Sequence, residues 1–426
     1  MKLDRNHAWL ERARRVVPGC AQTFSKGPLN FVAGATPAFL GRGQGARVWD
    51  VDGNEYVDYL LGLGPVILGY ADTEVNRAAA AQMEAGVSFS LSHPVEVELS
   101  ELLVSLIPCA EMVRFGKNGS DATAGAVRLS RAVTGRDKVA RCGYHGWQDW
   151  YIGSTDRWQG VPEAVRALTL SFPYNDPEAL DRLFAAHPGA IACVILEPVT
   201  FDPPRAGYLE AVRELCHANG ALLIFDEVIT GFRFGLGGAQ TYFGVTPDLA
   251  CFGKALANGF PLSAIVGKAE FMRRFEDVFF SFTFGGETVS LAAALATIRA
   301  LRDRGGVASI WDAGERLRRG TQTLIEETGL AGTIECAGYP PWTTLRCPNA
   351  LPEQALLLRS LFQQECAARG VLTIGAHMIS VAHGAGEIDW TLAAYREVFR
   401  ILAEAQASGA PERWLRGSPM RTILRP

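Results

Sequence analysis

Between about residues 112 and 267, short apolar runs alternate with stretches of helical spacing. The runs are Met112 to Phe115, Ile191 to Leu196, Ala221 to Phe225 and Leu249 to Phe252; the helical stretches include 121–134, 177–186 and 207–219. Runs that are apolar on both faces and separated by helices predict a mostly parallel sheet covered on both sides. Ahead of this region, residues 5–17 have helical spacing and stop at Pro18-Gly19. Val48 to Tyr59 holds two short alternating runs about Asp52-Gly53, the pattern of a β-hairpin. Residues 73–86 and 94–107 predict helices, the second ending before Pro108. An Ala-rich stretch, 287–304, predicts a long helix leading toward Arg304-Gly305-Gly306. Beyond it, helical stretches at 307–328, 353–369 and 388–406 alternate with short strands, as in an α+β domain. The expected fold class is therefore α/β. A large domain with a mostly parallel central sheet spans residues 61–305, and a smaller α+β domain at 306–426 packs with an N-terminal segment, 1–60.

Composition narrows the partners. The chain has 426 residues, 48% hydrophobic and 20% charged, with a net charge of -4. That balance is ordinary for a soluble globular protein and gives no electrostatic reason to expect nucleic acid or an anionic membrane. The N-terminal Met1 to His7 leads into Glu11-Arg12-Ala13-Arg14-Arg15 and lacks an apolar signal core. No run approaches the roughly 18 apolar residues of a membrane span. The nine cysteines are scattered and form no CxxC pair, so they are expected to be buried thiols in a cytoplasmic protein, with no metal site.

The chemistry gathers where the apolar runs end, the place where parallel sheets collect ligands. Lys254 lies in Cys251-Phe252-Gly253-Lys254-Ala255, between an apolar run and the Gly/Pro-containing stretch Asn258-Gly259-Phe260-Pro261. A lysine in such a setting is out of place unless its amine is used. Ile224-Phe225-Asp226-Glu227-Val228 ends another run with a carboxylate. A lysine able to form a Schiff base and an aspartate able to hold a pyridinium nitrogen are the two groups that pyridoxal 5'-phosphate (PLP) chemistry asks of a protein.

Gly116-Lys117-Asn118-Gly119-Ser120-Asp121 is a strand–turn–helix junction in which Gly119, Ser120 and a helix N-terminus can cradle a phosphate; it lacks the P-loop spacing. Gly143-Tyr144-His145-Gly146 places an aromatic ring and an imidazole past a further short run, and Leu196-Glu197-Pro198 adds a carboxylate. Gly41-Arg42-Gly43-Gln44-Gly45 opens no helix, and a tight turn is expected there instead of a dinucleotide site.

Taken in order, these strings resemble the class III aminotransferases, nearest to the glutamate-1-semialdehyde aminomutase branch. The resemblance is carried by Val113-Arg114-Phe115, Asn118-Gly119-Ser120-Asp121-Ala122, Gly143-Tyr144-His145-Gly146, Leu196-Glu197-Pro198, Phe225-Asp226-Glu227-Val228-Ile229-Thr230-Gly231-Phe232-Arg233 and Phe252-Gly253-Lys254. It extends from Pro18 to about residue 400. It implies PLP-dependent fold type I and a homodimer with shared active sites. It implies Lys254 as the Schiff-base lysine, Asp226 on the pyridine nitrogen, Val228 and Tyr144 against the ring, and Gly119 and Ser120 on the phosphate. His145 belongs to the same cofactor-binding set, Glu197 lies behind it, and Thr283 would reach the phosphate of the partner subunit.

The chain departs from the family pattern at three places. Glu287-Thr288 stands where relatives have Asn-Pro, Trp147 where ornithine-type relatives have arginine, and Ser25-Lys26 where aminomutases read Val-Arg. The combination is similar to a side branch associated with amino-sugar or secondary-metabolite biosynthesis. The expected reaction is ping-pong transfer from an amino-acid donor to an aldehyde or ketone acceptor, such as an oxidised sugar, with Trp147, Trp150 and Tyr151 as a stacking wall. A glutamate-1-semialdehyde-type 2,1-aminomutase, or a related epimerase or dehydratase, would use the same groups. A non-catalytic PLP-fold binding protein is the reading from another class, against which the retained Lys254 and Asp226 count. Arg233 and Arg346 are the candidates, by residue type, for a donor carboxylate.

Overall fold

A computed structural model of the chain describes residues 1–421; the last five residues of the expected C-terminal segment lie outside them. The chain divides into two units, one formed by Met1–Asp72 and the chain from Ala308, the other by Thr73–Val307. The first begins with helix α1 (Asp4–Val16) and three antiparallel strands, β1 (Leu40–Gln44), β2 (Arg47–Asp50) and β3 (Glu55–Asp58). Asp50 builds the expected hairpin, because its carboxylate accepts from the Asp52 and Asn54 amides at 3.0 and 2.8 Å and from Tyr56 Oη at 3.0 Å. The run Gly41–Gly45, expected to be a turn, is mostly the strand β1. Gly43 is needed because a Cβ there would come within 2.6 Å of the Tyr70 ring, and only Gly45, with φ +57°, turns the chain.

The second unit carries helices α2 (Thr73–Ala85) and α3 (Pro94–Leu106), strand β4 (Met112–Gly116) and helix α4 (Gly119–Thr134). Six more strands follow: β5 (Lys138–Cys142), β6 (Thr169–Ser171), β7 (Ile191–Leu196), β8 (Leu222–Asp226), β9 (Leu249–Phe252) and β10 (Ser263–Gly267). They form one sheet in the order β4-β10-β9-β8-β7-β5-β6. The mostly parallel arrangement is as expected. β10 is its antiparallel member, paired with β9 on one side and β4 on the other. The short link from β9 to β10 has no crossover helix, and that permits the chain to reverse.

Every residue of β7, β8 and β9 is buried, which requires cover on both faces. On one face α4 packs Ala122, Ala126 and Leu129 against Ile195, Ile224, Cys251 and Ile265. Leu129 is wholly buried, so a Leu129→Ala change costs about 2–5 kcal/mol. Helix α4 stops at Gly135, whose φ of +67° supplies the left-handed cap. Helices α2 and α3 pack against the long helix Thr288–Asp303.

The remaining part of the first unit contains helices Gly306–Glu327, Pro352–Ala368 and Ala385–Ala407. β11 (Glu335–Tyr339) and β12 (Trp342–Arg346) form a hairpin, β13 (Val371–Leu372) runs parallel to β3, and β14 (Ala376–Met378) pairs with β12. His377 is wholly buried between Thr343 Oγ1 at 2.9 Å and Tyr395 Oη at 2.6 Å. Burial pushes its imidazole down to about 3, so it is neutral at physiological pH.

Candidate active site

The ends of five strands supply the site, through residues at or just past the end of each strand. β4 runs into the turn Lys117–Asn118 and helix α4; β5 into Gly143–Trp147; β7 into Glu197; β8 ends on Asp226; and β9 leads to Lys254. The sharp exits demand glycine. Gly143 has φ +104° and Gly146 has φ +109°, and a Cβ on either would run into Glu197 or Ser120 respectively.

These exits bring the expected residues together. His145 Nδ1 lies 2.8 Å from Asp226 Oδ2, and the Val228 amide donates to Asp226 Oδ1 at 3.1 Å. The Tyr144 amide donates to Glu197 Oε2 at 3.0 Å. Ser120 Oγ accepts from the Trp147 amide at 3.3 Å, and Thr123 Oγ1 donates to the His145 carbonyl at 2.8 Å. A Cβ on Gly119 would lie 3.0 Å from Val228 Cγ1, so the missing side chain of Gly119 is the space that Val228 fills. Lys254 follows Gly253, which is itself against Val228 and Gly119, and its amine feels the charges of Glu197 and Asp226.

The electrostatics are those of a buried site. Burial lowers the Lys254 amine from the ordinary lysine value, against the opposing pull of Glu197 and Asp226. Burial and the Asp226 charge push the Glu197 carboxyl up to about 7. Burial raises the Tyr144 hydroxyl, with Asp226 and Glu197 adding to the effect, although the ring is 49% exposed. His145 Nε2 faces the Cys142 carbonyl at 3.1 Å while Nδ1 faces Asp226. Both ring nitrogens therefore face oxygen atoms, and the imidazole is held between the Cys142 carbonyl and the Asp226 carboxylate. Lys254 also adopts φ +39°, a conformation that a non-glycine residue takes at a cost of about 1–3 kcal/mol.

Thr283, expected to act across the dimer, is exposed and lines a cavity with Ser88, Ser92, Glu96 and Glu287. Trp147 is 66% exposed, but Trp150 and Tyr151 are buried behind His145, with ring centroids 6.2 and 5.4 Å from the imidazole. They brace His145 and Tyr144, so the three-residue stacking wall does not form. Arg233 is 1% exposed and within electrostatic reach of Lys254, which makes it part of the core; Arg346 lies on β12 of the first unit.

Two residues gained roles that the sequence reading did not assign. Glu227 is wholly buried and accepts from the amides of Ala239 and Gln240 at 2.7 and 2.9 Å and from Thr230 Oγ1 at 2.5 Å, so it fastens the loop after β8. Glu287 caps helix Thr288–Asp303 through the Val289 amide at 2.7 Å, a role signalled by an acidic residue just before an apolar helical run.

Comparison with known proteins places the chain in a family. The description of the aminotransferase class-III family matches residues 31–381. The chain is 41% identical over 360 residues to a 3-aminobutyryl-CoA aminotransferase of Cloacimonas acidaminovorans, covering 82% of this chain and 86% of that one. It is 40% identical over 324 residues to a glutamate-1-semialdehyde 2,1-aminomutase of Aquifex aeolicus, covering 72% and 76%. Among solved structures, the FumI protein of Sphingopyxis sp. MTA144, in its PLP internal aldimine form, superposes with a TM-score of 0.89 at 30% identity over 95% of this chain and 98% of that one. An omega-transaminase of Sphaerobacter thermophilus superposes with a TM-score of 0.85 at 28% identity over 95% and 100%. By sequence and by fold, the chain belongs to the class III aminotransferases, PLP-dependent enzymes that move amino groups between small molecules.

Proposed function

We propose that the cluster around Lys254 holds PLP, and that the enzyme transfers an amino group from an amino-acid donor to an aldehyde or ketone acceptor. The site fits that cofactor on its own chemistry. The first N–H groups of α4, at Gly119 and Ser120, have no acceptor within the helix and, with Ser120 Oγ, suit a phosphate. Val228 and the half-exposed Tyr144 offer surfaces for a flat ring, and the Asp226 carboxylate, anchored by His145, suits a protonated ring nitrogen. When bound, PLP supplies a carbonyl that condenses with amines and a ring that takes up the electron pair of a broken C–H bond.

The protein's own groups divide the remaining work. Burial lowers the Lys254 amine from the ordinary lysine value, which favours its use as a nucleophile, and its Nζ is the group suited to carry a proton to and from the reacting carbon. His145, held on its other side by the Cys142 carbonyl, keeps the Asp226 carboxyl group fixed in the interior. Glu197 holds the Tyr144 backbone and so sets where that ring stands.

The observation that carries this reading is the meeting of Lys254, Glu197 and the His145–Asp226 pair at neighbouring strand ends. The acceptor we favour bears its oxo group away from the acid carbonyl. Support comes from a relative named for 3-aminobutyryl-CoA and from an omega-transaminase neighbour. An oxidised-sugar acceptor would have to rest on Trp147 alone.

We also read the protein as a cytoplasmic homodimer in which Thr283 serves the partner's phosphate. Nine free cysteines suit a reducing compartment, and the exposed Leu91, Phe279 and Phe284 suit self-association. No helix among the described residues is long and apolar enough to cross a membrane.

The test is a half-reaction screen. The PLP-loaded protein is mixed with amino acids, 3-amino acids and their thioesters while visible absorbance and keto products are followed. Stoichiometric keto product, abolished by Lys254→Ala, is expected. An isomer formed with no keto product would instead establish an aminomutase, and full turnover by Lys254→Ala would remove the lysine's role.

A further inference from the structure

Glu287, at the start of helix Thr288–Asp303, lies against the turn between β4 and α4. Glu287 Oε2 is 2.8 Å from Lys117 Nζ, across 170 residues of chain, and the two side chains are only 13% and 15% exposed. Glu287 is itself fixed, since it accepts from the Val289 amide and from Ser290 Oγ at 2.7 and 2.6 Å. The backbone of the turn is fixed too: Asp121 Oδ2 accepts from the Lys117 and Asn118 amides at 3.0 and 2.8 Å. Lys117 is thus tied at both ends, and its charge is spent on Glu287. Asp121 takes the first two amides of the turn, which leaves those of Gly119 and Ser120 for an anion.

We propose that Lys117 is a positioning residue for the cofactor phosphate. Its ion pair with Glu287 fastens the turn between β4 and α4 to the start of helix Thr288–Asp303, and so sets the direction of the Gly119 and Ser120 N–H groups. A largely buried pair anchored by further hydrogen bonds keeps its geometry, where an exposed one would not. The inference rests on the assignment of Gly119 and Ser120 to the phosphate.

The test compares two ligands. Apoprotein is titrated with PLP and with pyridoxal, which lacks the phosphate, and binding is read by visible absorbance; apoprotein melting is recorded alongside. Lys117→Met is expected to weaken PLP about tenfold, the worth of one charge-assisted contact, while pyridoxal binding is unchanged. Lys117→Arg should recover most of the loss. Glu287→Gln, which retains an oxygen for the helix cap, should show the same phosphate-selective loss, and the double variant should be no worse than either single one. Equal weakening of PLP and pyridoxal, or a lower melting temperature with PLP binding intact, would overturn the proposal. Ser120→Ala separates the two levels: if it leaves PLP binding untouched, the phosphate assignment itself fails. If Ser120→Ala weakens PLP and neither Lys117→Met nor Glu287→Gln does, only the positioning role fails.

Discussion

Glu197 makes a prediction that does not depend on any substrate. Burial and the neighbouring Asp226 raise its carboxyl from the ordinary 4.5 to about 7 in the folded protein. A carboxyl with a raised folded value favours the folded state below the unfolded value and loses that advantage as pH rises through the folded one. The window therefore runs from about 4.5 to 7, and the apoprotein should lose stability across it. At 1.36 kcal/mol per unit the full effect is about 3 kcal/mol.

Glu197→Gln keeps an oxygen to accept from the Tyr144 amide but cannot ionise. The variant should match the wild-type apoprotein near pH 4.5 and be the more stable of the two at pH 8, by a few degrees in melting temperature. The assay is thermal melting of PLP-free protein across that range, followed by tyrosine and tryptophan fluorescence. Parallel wild-type and variant curves from pH 4.5 to 8 would show that Glu197 ionises as it would in water, and the electrostatic account of the site would fail with it.

Two further outcomes follow from the same structure. Gly146→Ala should weaken PLP binding by about tenfold or more, read by titration of the apoprotein. A Cβ there meets Ser120 Oγ, and φ of +109° is strained for alanine. His377→Gln should flatten the acid limb of stability measured by urea unfolding. A buried imidazole lowered to about 3 contributes stability above its unfolded value near 6.5 and loses it as pH falls toward 3, with a ceiling of about 5 kcal/mol.

The parts of the fold that were legible in the sequence are those in which one local pattern has one structural solution. Ile191–Leu196 and Leu222–Asp226 are apolar throughout, and such runs between helices leave little choice but central parallel strands. Ser263–Gly267 is as apolar, yet the same pattern serves an antiparallel strand equally well, so its direction needed coordinates. Glycine runs were the least legible. Gly41–Gly45 looks like a turn because flexibility is what glycine signals, whereas Gly43 is small in order to admit the Tyr70 ring. The site divides in the same way. Lys254 and Asp226 stood out because a charge at the end of an apolar run has to be accounted for. Trp150 and Tyr151 misled because aromatic residues beside a motif can stack on a ligand or support the residue that does. Only burial, 8% and 3%, separates the two.

Asp226 and Glu227 show why position in the fold, and not residue type, assigns such roles. They are adjacent, acidic and buried, and either could have been the group that faces a cofactor. Successive residues leaving a strand point to opposite sides, so the two carboxylates diverge. Glu227 turns toward Thr230, Ala239 and Gln240, where the hydrogen bonds it accepts offset its burial and leave it no remaining task. Asp226 turns toward His145 and the Val228 amide, an arrangement that holds the carboxylate still while only part of its acceptor capacity is used. The carboxylate with capacity to spare is the one beside Lys254 and Glu197, and a cationic ring nitrogen is the partner that would complete it.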